Sequence, residues 1–145
     1  MRILFALLFV SICSSAVAQE TWGDVDKNKV TMQELPPVWP GCESGTNAQE
    51  LSKCFNQKLA QHIASNFKYP AAEYNANIEG RVIVDFVINE AGRVEIKSVS
   101  GGNEALQNEA KRNILEMPEL KPGMLAGKPR VISYKVPFTF KTGRN

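Results

Sequence analysis

Between Gly80 and Ser100 the chain carries a pattern of period two followed by a tight reversal. Val82, Val84, Phe86 and Ile88 alternate with Arg81, Ile83, Asp85 and Val87. Successive side chains of a strand point to opposite sides, so the first set shares one face and the second the other. Glu90-Ala91-Gly92 suits a three-residue hairpin loop with Gly92 in the left-handed region. The return strand, Arg93 to Ser100, sets Val94 and Ile96 on one side of the pleat, with polar residues between them. The first strand is apolar on both faces and therefore belongs in the middle of a sheet. A hairpin with that much apolar surface must be covered by other parts of the chain.

Two helical patterns supply the cover. The first is expected over Ala48–Phe67, where Leu51, Phe55, Leu59, Ile63 and Phe67 recur every four residues as one apolar ridge. Asn47 can cap it, and Glu50 can answer back to the cap amide in a capping box. Pro70 disfavours helical geometry at Tyr69 and stops the helix there. Gly101-Gly102 breaks the chain after the hairpin, and Asn103 caps a second helix whose inward residues are Leu106, Ala110, Ile114 and Met117. Pro118 ends it. Pro122-Gly123 and Gly127-Lys128-Pro129 form a turn-rich loop before a last strand, Val131 to Phe140, with Tyr134, Val136, Phe138 and Phe140 on one face.

These elements predict an α+β domain of order α-β-β-α-β, with two helices on one face of a three-stranded antiparallel sheet. The connecting helix returns the chain so that the third strand runs with the second. An antiparallel sheet then requires it to pair with the first, giving the order 2-1-3. The third strand is an edge, and Pro137 suits one because it lacks the amide that a central strand needs. Such an edge either accepts an added strand or, with Pro137 and Lys135 as guards, prevents unwanted pairing.

The first residues read as an export signal. Arg2 precedes an apolar run from Ile3 to Ile12, and Ala16-Val17-Ala18 offers a small-x-small cleavage site. The run is too short to span a bilayer. The expected organisation is a signal peptide over 1–18, a flexible lead-in over 19–35 and one domain over 36–142. Removing Arg2 with the leader takes the seventeen Lys and Arg to sixteen, against fifteen Asp and Glu. That balance, with no long run of one sign, argues against nucleic acid as a partner. Cys42 and Cys54 remain, and two cysteines in an oxidising compartment read as one disulfide, the alternative being a free buried Cys54. Two cysteines and the lone His62 lack the spacing of a metal site, so no metal and no cofactor are expected. His62 lies beside the apolar ridge and reads as a packing residue.

An enzyme is not expected. Ser98, Ser100 and Ser133 sit in strand patterns without a Gly-x-Ser-x-Gly elbow. Asp85 and Glu95 could face each other across the hairpin as paired carboxylates, but read better as part of a solvated mixed-charge face with Arg81, Arg93 and Lys97.

An ordered set of short motifs adds a resemblance. Tyr69-Pro70, Gly80-Arg81-Val82, Asp85-Phe86-Val87-Ile88 leading to Gly92-Arg93-Val94, Glu109-Ala110, Pro122-Gly123 and Val136-Pro137-Phe138-Thr139-Phe140 together resemble the C-terminal domain of TonB. Pro40-Gly41-Cys42 with Cys54 downstream resembles a disulfide-carrying branch of that family. The resemblance implies a periplasmic domain that binds a short segment of an outer-membrane transporter, or another envelope protein, by strand addition. The implied contact residues are Asn66, Phe67 and Lys68, before the Tyr-Pro step, with Arg130, Val131, Ile132, Ser133, Tyr134 and Lys135 on the last strand. A force-transmitting member carries a membrane helix and a long Pro-rich spacer, whereas this chain is expected to have a cleaved leader and a short lead-in. The alternative is a self-associating envelope module whose edges pair into a homodimer.

Overall fold

The computed structural model describes residues 34–144. The expected signal peptide, and the lead-in as far as residue 33, lie outside the described residues. The elements in chain order are β1 (Glu34–Leu35), α1 (Ala48–Asn66), α2 (Ala71–Asn75), β2 (Gly80–Ile88) and β3 (Val94–Ser100). They continue with α3 (Glu104–Leu115), β4 (Gly123–Leu125), β5 (Lys128–Arg130) and β6 (Ile132–Phe140). The main sheet is antiparallel with the order β3-β2-β6, the 2-1-3 arrangement read from the sequence.

Alternation places the core. Val82, Val84, Phe86 and Ile88 are fully buried on one face of β2, and α1 and α3 cover that face with Phe55, Leu59, Leu106, Ala110 and Ile114. From β6, Phe138 and Phe140 join them, while Tyr134 stacks on Phe55 and Phe86 at ring separations of 4.8 and 5.6 Å. The β2–β6 register runs without a break from Gly80 opposite Phe140 to Ile88 opposite Ile132. The β2–β3 register shifts between Asp85 and Phe86: Asp85 faces Ser98, whereas Phe86 faces Ile96. This bulge brings Val99 against the core beside Val94 and Ile96, which simple alternation would not do. The hairpin register itself keeps the two carboxylates from facing each other, with Glu95 opposite Val87 and Asp85 opposite Ser98. Asp85 accepts from Ser98 Oγ at 2.8 Å and meets Lys135 Nζ at 3.3 Å; Glu95 is taken by Asn89 and Lys97.

Gly92 takes a φ of +79°, as the hairpin loop requires. Asn89 organises that loop, its side-chain oxygen accepting from the amides of Ala91 and Arg93 at 3.0 Å each.

A second, smaller sheet was not legible in the sequence. β4 and β5 form a hairpin, and β1 pairs with β4 so that Glu34 faces Leu125 and Leu35 faces Met124. Glu34 and Leu35, expected at the end of a flexible lead-in, are therefore a strand. Val38 continues the association by exchanging backbone hydrogen bonds with Lys121 at 3.0 Å in both directions.

α1 begins as expected, with Asn47 Oδ1 accepting from the amide of Glu50 at 2.9 Å. The reciprocal bond differs: the Glu50 carboxylate accepts from the amide and hydroxyl of Thr46, not from the cap amide. These bonds hold its carboxyl below the ordinary glutamate value. The helix ends at Asn66, with Phe67 already extended as its C-cap, one residue short of the expected Ala48–Phe67. Pro70 instead stands at the N-cap of α2, a short helix that the sequence reading omitted.

The Cys42–Cys54 disulfide is present, with the Cα atoms 5.9 Å apart. It staples the Pro-rich segment to α1. Trp39 of that segment is buried, edge-on to Phe55 at 5.9 Å and tilted on His62 at 5.7 Å. Replacing both cysteines by serine should lower stability by about 3 kcal/mol, the loop-closure value for a ring of this length. Urea unfolding of the two proteins, compared at equal slope, measures the difference.

Candidate protein-interaction site

β6 has β2 on one side and, among the described residues, no strand on the other. Its side chains divide cleanly. Tyr134, Val136, Phe138 and Phe140 turn toward the helices, whereas Ser133, Lys135, Pro137 and Thr139 are exposed. Burial pushes the Tyr134 phenol up to about 12, helped by the nearby charge of Glu34. Tyr134 therefore acts as a neutral packing group.

α1 runs alongside β6, with Phe55 against Tyr134 at 4.8 Å and Phe67 against Phe140 at 5.0 Å. Between helix and strand lies an open, mostly apolar groove of about 440 Å³. It is lined by Ala60, Ile63, Ala64 and Phe67 from α1 and its C-cap, and by Pro137, Phe138 and Thr139 from β6. The small side chains of Ala60 and Ala64 leave the space open. Sequence reasoning missed these two, because alanine on an exposed helix face carries no signal of its own. It also missed Pro137–Thr139 as a groove wall.

The residues expected to touch a partner fall in two groups. Ile132, Ser133, Tyr134 and Lys135 form the first half of β6, Val131 is an exposed residue just before it, and Arg130 belongs to β5. Arg130 is thus tied into the smaller sheet, opposite Gly123 and about 4.0 Å from Glu34. Asn66, Phe67 and Lys68 lie at the other end of β6, near Phe140. The two groups mark opposite ends of one line of edge and groove, separated by about six residues of strand, or roughly 20 Å. Within the second group only Phe67 lines the groove. The side chain of Asn66 donates to His62 O at 2.9 Å and lies 3.2 Å from His62 Nδ1, and its own carbonyl accepts from Arg112 Nη2. The Lys68 amide donates to Glu109 Oε1 at 2.8 Å.

His62 has the packing role expected for it. Its Nε2 meets the Asn113 carbonyl at 2.8 Å, so one tautomer, protonated at Nε2 and accepting at Nδ1, serves both neighbours. Among the described residues, no helix is long and apolar enough to cross a membrane.

The C-terminal domain of the Gram-negative bacterial TonB protein is the family whose model matches, over residues 65–142. Two solution structures of the Helicobacter pylori TonB C-terminal domain are also similar. One, of its residues 179–285, is 20% identical with a TM-score of 0.47, covering 73% of this chain and 92% of that one. The other, of its residues 194–285, is 23% identical with a TM-score of 0.42, covering 63% of this chain and 97% of that one. No curated protein matches. The matched region takes in just over half of the chain, from the last turn of α1 to the end of β6, and the chain belongs to the TonB C-terminal domain family.

Proposed function

We propose that this domain binds an extended segment of an outer-membrane transporter, or of another envelope protein, by adding it as a strand to the outer edge of β6. The family is an envelope one that works through protein interaction, and the disulfide fits the periplasm. On this reading residues 1–18 are a signal peptide, the domain needs no cofactor and it performs no catalysis.

The observation that carries the proposal is the place of Pro137 in the ladder. Pro137 faces Ile83 on β2. In an antiparallel pair, facing residues either exchange two hydrogen bonds or none, and the two kinds alternate along the strand. A proline has no amide to give, so it suits a pair of the second kind, whose backbone groups point away from the neighbour. The unbroken register then gives Ser133, Lys135 and Thr139 the same orientation. Their amides and carbonyls point to the open edge, and an arriving strand can pair with Ser133 and Lys135 before the ladder is interrupted at Pro137. Beyond the interruption the α1–β6 groove offers apolar surface to the side chains of the same segment.

Ser133→Pro should remove one outward amide and weaken peptide binding about tenfold, the loss of roughly one well-made hydrogen bond, with the protein still folded. Isothermal titration with a transporter peptide, paired with circular dichroism, checks both halves. Unchanged affinity would move the site off this edge.

A further inference from the structure

We infer that Glu109, acting through Arg112, is a positioning residue for the partner-binding groove; this rests on the strand-addition reading above. Glu109 lies on α3, is only 9% exposed, and contributes nothing to the apolar core. Its Oε1 accepts from the Lys68 amide at 2.8 Å and from Arg112 Nη2 at 2.7 Å, and its Oε2 accepts from Arg112 Nε at 2.8 Å. The same Arg112 Nη2 donates to the Asn66 carbonyl at 2.5 Å, and Nη1 reaches Glu116 at 2.6 Å. Bonding to Glu109 first, and then to Glu116, holds the guanidinium above its ordinary value. The pair therefore occupies the backbone groups on both sides of Phe67: the carbonyl before it and the amide after it.

One position further along α3, Asn113 is fully buried and donates from Nδ2 to the Ile63 carbonyl at 3.1 Å. The last carbonyls of any helix lack partners within the helix. Two of those of α1, the carbonyls of Ile63 and Asn66, are met here by side chains from α3. The turn being held carries Ile63 and Phe67, which form one wall of the groove. A buried carboxylate in a bidentate pair needs exact partners to offset its desolvation, so this clamp has one stable arrangement. That arrangement sets where Phe67 stands relative to Pro137 and Thr139. A groove held in its binding shape before the partner arrives spares the ordering cost of binding.

Glu109→Gln keeps the side chain's shape but replaces the carboxylate that holds both the Lys68 amide and Arg112 with a neutral amide, a weaker acceptor for each. Arg112→Lys retains the charge but loses the fork that reaches Asn66. Asn89→Ala, in the hairpin and away from the groove, serves as a variant destabilised without touching the clamp. The probe is a ten-residue peptide of alternating valine and threonine, followed by NMR of the labelled full-length protein together with amide exchange. Expected are faster exchange at Lys68 and about fivefold weaker binding for Glu109→Gln, a smaller loss for Arg112→Lys and unchanged affinity for Asn89→Ala. If Glu109→Gln frees the Lys68 amide yet binds as the parent does, the inference is overturned and strand addition stands. If the parent itself shows no shifts along β6, strand addition fails and the positioning role fails with it.

Discussion

Gly92→Ala should destabilise the domain by about 4 kcal/mol or more, enough to leave a protein of ordinary stability close to unfolding. Two costs combine. The left-handed φ of +79° penalises any residue with a Cβ by about 1–2 kcal/mol. The larger cost is steric, because a Cβ built there would stand 1.7 Å from the Leu120 carbonyl oxygen. Leu120 cannot easily withdraw: it is 4% exposed, and its amide donates to the Gly92 carbonyl at 3.0 Å. The hairpin tip and the segment after α3 are thus locked together at one glycine. Gly127→Ala supplies the comparison, since Gly127 has a φ of +78° and nothing within 4 Å of the added carbon. It should cost only the backbone term, about 1–2 kcal/mol. Urea midpoints of the two variants separate the clash from the strain, and similar midpoints would contradict the tight hairpin packing.

The second large effect concerns two neighbouring residues of β6. Proline at Ser133 should be tolerated to within about 1 kcal/mol, whereas proline at Tyr134 should cost at least about 4 kcal/mol. If Pro137 marks the outward-pointing positions, the amide of Ser133 faces the open edge and that of Tyr134 is bonded to β2. Tyr134→Pro also removes the ring stacked between Phe55 and Phe86. Tyr134→Ala isolates that contribution, expected near 3 kcal/mol for a large ring removed from a half-buried site. The excess of Tyr134→Pro over Tyr134→Ala is the cost of the broken ladder. Thermal melts of the three variants give this excess, and no excess would reverse the assignment of which amides are free.

Much of the architecture was legible because long elements repeat their signal. The alternation from Val82 to Ile88, the Gly92 turn, the Asn47 and Asn103 caps and the ridge from Leu51 to Phe67 each state their geometry several times over. Direction alone then yields the order β3-β2-β6. What escaped has no local period. β1, β4 and β5 are two or three residues long and exist only through one another. The bulge opposite Asp85 falls among Lys97 and Ser98, where polar neighbours give no apolar mark to count. The end of α1 was read from Pro70, yet two of its last carbonyls, those of Ile63 and Asn66, are met by Asn113 and Arg112, more than forty residues away. The proposed site divides in the same way. Its edge was inferred from topology and Pro137, but the groove beside it depends on what two exposed alanines leave empty.

The most direct measurement is an NMR titration of the labelled domain with short extended peptides taken from outer-membrane transporters of the same cell. Strand addition predicts shifts from Ser133 through Thr139 together with Phe67, and new protection of the Ser133 and Lys135 amides against exchange. Shifts confined to another surface, such as the exposed Leu115 beside Met117 and Val94, or an unperturbed spectrum from the folded protein, would contradict it.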